Sequence, residues 1–252
     1  MSEEWGTCNT FYDWEDFDLT PYGEVKKEFL SFAAKHRELG DTVTPAALVL
    51  PKKFEIFDLF FLSGRKDAYL GFPITGEARR KQFEHIRSVL TLLLGDDKKE
   101  YGSEGHVIGN SAYGDVFDIV YDDCGEAALS KYSLLVDLNI EETLTSLYPN
   151  LRGCVLGCRD IPAMEKDLNT ALEKLLPCRV SGQLSWILNR VGDGWVLGLF
   201  NNEGVDRSVE HGETLMPEAD ATAVISTPHR IEPFDGYKPE LCRTGDTWRC
   251  AV

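Results

Sequence analysis

An acidic and aromatic segment near the N-terminus carries the residue types that best suit chemistry on a sugar. Glu4 and Trp5 are followed by Asn9, and then by Asp13 and Trp14. Aromatic rings offer flat apolar faces on which pyranoses stack, and carboxylates bind hydroxyls or act as general acids and bases. These five residues are our candidate substrate-binding residues. A packing loop with solvated acids is the alternative, because glycoside hydrolysis needs a second, facing carboxylate that the sequence does not identify.

Two short motifs come close to a nucleophile site without completing one. The run GCVLG at 153–157 has the glycine spacing of a nucleophile elbow, but Val155 stands where the nucleophile belongs. Cys154 is displaced by one residue and would face the other side of a strand. Near Ser111, the second glycine of the motif is replaced by Tyr113. We therefore expect a plain strand and a turn and assign no catalytic residue; an amidotransferase-like hydrolase using Cys154 or Ser111 is an alternative.

Metal and cofactor motifs are missing from the sequence. Cys154 and Cys158 have C-x₃-C spacing, and the five histidines form neither an HExxH nor an HxH pair. Neither a G-x-G-x-x-G fingerprint nor a P-loop lysine motif occurs. We predict no metal and no cofactor, and we interpret the seven cysteines as reduced and mostly buried thiols.

Charge and hydropathy exclude two classes of partner. The net charge of −16 opposes binding to nucleic-acid phosphates and to anionic membrane surfaces. No apolar run is long enough to cross a bilayer, and the first residues, MSEEW, lack the features of a signal peptide. We therefore expect a cytoplasmic location for the chain as written. Carbohydrate and a second copy of the chain are the candidate partners.

Strand and helix patterns alternate between residues 44 and 177. The clearest helix runs from Glu77 to Leu94 with an apolar face, and another starts at Pro21 with an apolar stripe that includes Phe29. Residues 54–62 fit either a strand or a helix. The other patterns predict strands at 44–50, 116–121, 133–138 and 153–157 and helices at 126–131, 141–148 and 165–176. Such alternation predicts a largely parallel sheet flanked by helices.

From Cys178 onward the pattern contains strands and no good helix. Strands are predicted at 183–191, 195–201, 222–227 and 247–252, with a hairpin turn at 192–194. Trp186 and Trp195 lie here beside polar residues and would form a sugar-binding face if both were exposed. The alternative is that both belong to the core of a small sandwich.

Several runs resemble one family in chain order. Residues 4–32 (EWGTCNTFYDWEDFDLTPYGEVKKEFLSF) resemble the close of the TIM-barrel domain of multidomain glycoside hydrolases of the β-galactosidase-like clan. TPAALVLP, YGDVFDIVYDD and LSKYSLLVDL resemble strands of the next domain, which has a flavodoxin-like, class I glutamine-amidotransferase-like fold. Residues 183–207 resemble the C-terminal β-domain.

The resemblance implies a barrel remnant and connecting helix at 1–43, a flavodoxin-like α/β domain at 44–177 and an antiparallel β-sandwich domain at 178–252. It places Glu4 at a strand end of the barrel, where sites cluster. Two features depart from the family: no amidotransferase Cys–His–Glu triad maps onto the chain, and residues 140–176 form a short stretch for that domain.

We therefore expect a non-catalytic C-terminal portion of a carbohydrate-active enzyme, which supports or walls a sugar site or mediates oligomerisation. A carbohydrate-binding module is the alternative from another class. The uncovered aromatic start and the strand pattern that runs to Val252 suggest either a C-terminal fragment or a reduced descendant of such an enzyme.

Overall fold

The computed structural model describes residues 18–19, 21–37, 39–52, 77–94, 111–141, 143–182, 184–201, 205–208, 212–215, 221–234 and 239–252. Within these residues the protein combines helices with parallel and antiparallel sheets, so the predicted α/β class is confirmed in this general form. The candidate residues Glu4, Trp5, Asn9, Asp13 and Trp14 lie outside the described residues, as does the pattern at 54–62.

Elements are numbered here along the chain. The helices are α1 (Pro21–Lys35), α2 (Glu77–Leu94), α3 (Glu126–Leu129), α4 (Leu144–Leu147) and α5 (Ile161–Leu175), with a 3₁₀ helix at Pro149–Cys154. The first strands are β1 (Asp41–Thr42), β2 (Ala46–Leu50), β3 (Phe117–Tyr121), β4 (Leu134–Asp137) and β5 (Val155–Gly157). The later strands are β6 (Arg179–Ser181), β7 (Ser185–Val191), β8 (Gly194–Phe200), β9 (Val205–Ser208), β10 (Gly212–Leu215), β11 (Thr222–Ser226), β12 (Leu241–Thr244) and β13 (Thr247–Ala251).

A four-stranded parallel sheet forms the first half of the structure, in the order β3-β2-β4-β5. All five residues of β2 are buried, which explains why its sequence is continuously apolar rather than alternating. Leu48 shares a core cluster with residues of α2 and α5, whereas Val49 shares one with residues of α3 and α4. Helices therefore cover both faces of the sheet, because successive strand residues point to opposite sides.

The second half is antiparallel. Its sheets have the orders β1-β7-β8 and β12-β13-β11-β6, and β9 pairs with β10. Val191 pairs with Gly194 across a two-residue turn in which Gly192 has a φ of +56°, so the predicted hairpin is confirmed. Left-handed φ values favour glycine at such turns.

Trp186 joins the two halves. Its side chain is buried, and its ring lies so close to Gly114 that a Cβ there would come within 2.3 Å of the indole. The Asp115 N–H donates to the Trp186 carbonyl at 2.9 Å, and the Val43 N–H donates to the Leu188 carbonyl at 2.7 Å. One core cluster accordingly contains side chains from both sides of Pro177, the predicted domain boundary.

Three sequence predictions need correction. Phe29, placed in the apolar stripe of α1, is 63% exposed, whereas Phe32 is half-buried, with its ring centroid 4.5 Å from that of His36. The helix predicted at 165–176 begins at Ile161, where Asp160 caps its first turn. The helix predicted at 141–148 covers only Leu144–Leu147, and a 3₁₀ helix at Pro149–Cys154 takes the first two residues of the predicted strand 153–157.

Replacing Gly114 tests the contact between the two halves. Gly114→Ala adds a methyl group against Trp186 at a residue with a φ of +62°, so we expect a loss of about 2–4 kcal/mol in the free energy of unfolding. Gly245→Ala is the matched control, because Gly245 also has a φ of +62° but no atom within 4 Å of the added Cβ. Urea unfolding measures both. Equal losses in the two variants would show that the Trp186 contact contributes nothing.

Candidate functional site

Open α/β sheets bind ligands outside the carboxyl ends of their strands, where the strand order reverses. In this sheet β3 lies on one side of β2 and β4 on the other, so the reversal falls beside β2. We call residues 51–52, 122–123, 137–141 and 158–160, which follow or end the four strands, the carboxyl edge. It carries several acids and lies where open α/β sheets usually bind their ligands.

Asp122 and Asp123 connect the ends of β2 and β3. The Lys52 N–H donates to Asp122 Oδ1 at 2.8 Å, and Lys52 Nζ forms an ion pair with Asp123. The hydrogen bond to Asp123, and then the charge of the same carboxylate, raises the pKa of Lys52. Both acids thus bind the segment that leaves β2.

Asp137 ends β4 and holds the loop that follows. It is 2% exposed, and its carboxylate accepts the N–H groups of Asn139 at 3.0 Å and Leu144 at 2.9 Å. Asn139 Oδ1 accepts the Glu141 N–H, and Asn139 Nδ2 donates to Thr143 Oγ1. The loop therefore closes on its own side chains before α4 begins.

Gln82 of α2 binds the same loop from the outside. Its Nε2 donates to the Leu138 carbonyl at 3.0 Å, and its Oε1 accepts the Ile140 N–H at 3.1 Å. Arg159, which follows β5, donates through Nε to the Ile140 carbonyl at 3.4 Å. The backbone of residues 138–140 is therefore hydrogen-bonded to Gln82 of α2, to Arg159 after β5 and to Asp137 of β4.

Asp160 completes the edge as the N-cap of α5. Its Oδ1 accepts the Ala163 N–H at 3.1 Å, and Pro162 lies in the first turn, where it has no N–H to satisfy. One carboxylate after or at the end of each of β3, β4 and β5, namely Asp122, Asp137 and Asp160, therefore accepts backbone N–H groups, whereas Asp123 pairs with the Lys52 side chain.

The side chains of Cys154 and Ser111, the two alternative nucleophiles, also form local hydrogen bonds. Cys154 Sγ contacts the Leu151 carbonyl at 3.1 Å, and burial raises the pKa of its thiol. Ser111 is buried, donates to the Leu93 carbonyl at the end of α2, and accepts the Tyr113 N–H at 3.1 Å. A raised thiol pKa opposes nucleophilic reactivity, and the Ser111 hydroxyl stabilises a helix end and a turn.

The two tryptophans of the predicted sugar face have different environments. Trp186 is buried at the contact between the two halves, whereas Trp195 is 41% exposed on β8. They are therefore not a pair of exposed platforms, and only Trp195 is accessible to a ligand.

The described part of the chain contains neither a candidate metal cluster nor a candidate membrane span. No group of three or more His, Cys, Asp and Glu side chains in it could hold a metal ion. None of its helices has the length and apolar character needed to cross a membrane.

Comparisons with known proteins found no match: no family model, no curated protein and no solved structure is similar to this chain.

Sequence reasoning missed the residues that organise the carboxyl edge. Asp160 followed by Pro162 is an N-cap signal that would have moved the start of α5 to its observed position. No comparable signal marks Gln82, because its two backbone partners are 56 and 58 residues away in the chain.

The N-cap of α5 gives a quantitative test of a structural carboxylate. Asp160→Ala removes the acceptor of the Ala163 N–H, so we expect thermal or urea unfolding to show a loss of about 1 kcal/mol. Asp160→Asn is the matched variant and should stay within a few tenths of a kcal/mol of the wild type, because asparagine caps helices as well as aspartate does. A neutral Asp160→Ala would contradict the capping role.

Cys178 predicts a fall in stability at alkaline pH. Burial raises the pKa of its thiol from 9.0 to about 11. Below pH 9 the thiol is protonated in both states; between pH 9 and 11 it ionises in the unfolded chain first, so folding loses about 2 kcal/mol. Cys178→Ser cannot ionise in this range and should lose less stability over it. Urea unfolding at pH 8 and pH 10.5 measures the difference, and parallel losses in the two proteins would contradict the prediction.

Proposed function

We propose that this chain is a non-catalytic C-terminal portion of a carbohydrate-active enzyme, a glycoside hydrolase of the β-galactosidase-like clan. In this proposal residues 44–177 form a flavodoxin-like, class I glutamine-amidotransferase-like domain, and residues 178–252 form a β-sandwich domain. The chain supports a catalytic barrel, walls its sugar cleft or mediates oligomerisation.

The strand order supports the flavodoxin-like part of the proposal. Counted along the chain, the parallel strands lie in the order 2-1-3-4. The flavodoxin-like order is 2-1-3-4-5, so the four strands agree with its first four positions. Residues of helices on both faces share core clusters with the central strand, as a doubly wound sheet requires.

The observation that carries the non-catalytic part is the use of acids at the carboxyl edge. Asp122, Asp137 and Asp160 accept N–H groups from Lys52, Leu144 and Ala163, respectively. A catalytic carboxylate needs an oxygen directed at the substrate or at a reacting proton. Asp137 offers none, because it is 2% exposed and both of its oxygens accept backbone N–H groups, whereas Asp122 and Asp160 each use Oδ1 alone for theirs. Acids that satisfy backbone donors stabilise loops, which is the function of a supporting domain.

Turnover by the purified chain tests the proposal. We expect aryl galactosides and other aryl glycosides to be hydrolysed only at the rate of the buffer blank. A γ-glutamyl anilide should behave in the same way, because burial raises the pKa of Cys154.

Two outcomes would contradict the proposal. Saturable glycoside hydrolysis that Glu4→Gln abolishes would show a working glycosidase site in this chain. Anilide hydrolysis that Cys154→Ala abolishes would show an amidotransferase-like hydrolase. In both cases circular dichroism must show that the variant is folded.

A further inference from the structure

A row of polar and aromatic side chains crosses the sheet β1-β7-β8 at one end. Asp41 is the register partner of Arg190, and Arg190 is the register partner of Trp195. Directly opposed residues of antiparallel strands lie on the same face, and neighbouring strands are about 4.8 Å apart. The row therefore extends about 10 Å across the sheet, with a carboxylate at one end and an indole at the other.

The row begins where the core ends. On the same face of the sheet, Trp186 pairs with Leu199 and Leu188 pairs with Leu197, and both residues on β7 are buried. Trp195 is the next residue of this face on β8, yet 41% of it is exposed. Trp195 therefore lies next to the core positions of this face along β8 and presents part of its ring to solvent.

His229 packs against the indole from a well-fixed loop. The two ring centroids are 5.0 Å apart, with an angle of 43° between the planes. The loop is anchored by buried Thr227, whose hydroxyl donates to the Pro177 carbonyl at 2.9 Å and accepts the His229 N–H at 3.2 Å. The Trp195 ring is thus supported on one side by a residue whose backbone is hydrogen-bonded to the fold.

The charged side chains of this row, those of Asp41 and Arg190, are exposed and line an open groove. The groove has a volume of about 480 Å³, and its other lining residues are Thr42, Val43, Thr44, Pro45 and Gly192. Among the residues that the structure describes, no hydrogen bond or ion pair uses the side chain of Asp41 or Arg190. Their acceptor and donor groups are consequently available to a ligand.

We propose that Trp195, Arg190 and Asp41 form a binding face for a saccharide of one or two pyranose units. The apolar face of one pyranose stacks on the Trp195 indole, and sugar hydroxyls donate to Asp41 and accept from Arg190. A flat ring beside hydrogen-bonding groups of both kinds matches a pyranose, which is apolar on its faces and carries hydroxyls on its rim. The choice of a saccharide rests on the proposed function, whereas the position of the face rests on the geometry alone.

Calorimetric titration of the full chain with gluco-, galacto-, manno- and xylo-oligosaccharides tests this face. We expect at least one of them to bind with a Kd of about 1 mM or tighter. Trp195→Ala should weaken that binding at least about tenfold, because it removes the ring face on which the pyranose stacks. Trp195→Phe, which keeps a ring, should retain most of the affinity.

Two further variants separate the row from a general loss of structure. Asp41→Asn and Arg190→Gln remove the charges at exposed positions and should each weaken binding about tenfold, because each replaces a charge-assisted hydrogen bond to the sugar by a neutral one. Tyr121→Ala is the matched control: Tyr121 is also an exposed aromatic residue, 38% exposed, but lies on β3. It should bind as the wild type does.

The inference is overturned if no saccharide in the panel gives heat at about 10 mM, or if binding survives Trp195→Ala and Asp41→Asn unchanged. Either result leaves the non-catalytic role intact, because that role is judged by turnover. Glycoside hydrolysis by the chain would instead overturn the proposed function while binding at Trp195 could still be measured.

Discussion

Backbone N–H groups at the carboxyl edge of the parallel sheet impose the constraint on which the rest of this structure depends. A buried donor without an acceptor costs about 1–3 kcal/mol, and the segments that leave the strands carry several donors. Asp137 accepts the buried Leu144 N–H and the Asn139 N–H, and Asp122 and Asp160 accept the Lys52 and Ala163 N–H groups at more exposed positions. These bonds hold Lys52, the loop after β4 and the start of α5. The same bonds use the carboxylates at the place where an α/β sheet usually binds its ligand.

A second constraint connects this sheet to the antiparallel half. Trp186 is buried against Gly114, and its carbonyl accepts the Asp115 N–H. The change from parallel to antiparallel strands near Pro177 therefore does not divide the hydrophobic core, since one cluster contains residues from both halves. The continuity of this hydrophobic core agrees with the proposed supporting role, because a rigid core holds the surfaces of the chain in fixed relative positions. It also sets Trp195 at the edge of this core, where an exposed ring keeps a fixed orientation.

Local patterns predicted the helices and strands well where burial alone decides the structure. The run at 46–50 is apolar because β2 is buried on both faces, and α2 was predicted from Glu77 to Leu94 as observed. The predictions were wrong where the structure depends on a helix cap or on a contact with a residue far away in the chain. Phe29 fits an apolar stripe yet is exposed, and the start of α5 depends on the Asp160 cap. Alternation along β7 and β8 could not separate Trp186 from Trp195, because their difference arises from Gly114 and from the loop at 227–229. Gln82 could not be assigned a role before its contacts with residues 138–140 were known.

Hydrogen exchange of three amides tests most directly the claim that the acids of the carboxyl edge hold the backbone. The Lys52, Leu144 and Ala163 amides donate to Asp122, Asp137 and Asp160. We predict that each exchanges at least about a hundredfold more slowly than an unprotected amide, as expected for a hydrogen-bonded group in stable structure. Each should lose that protection selectively when its own acceptor is replaced by alanine. Unprotected rates in the wild type, or protection that survives loss of the acceptor, would contradict the account and leave these carboxylates available for chemistry.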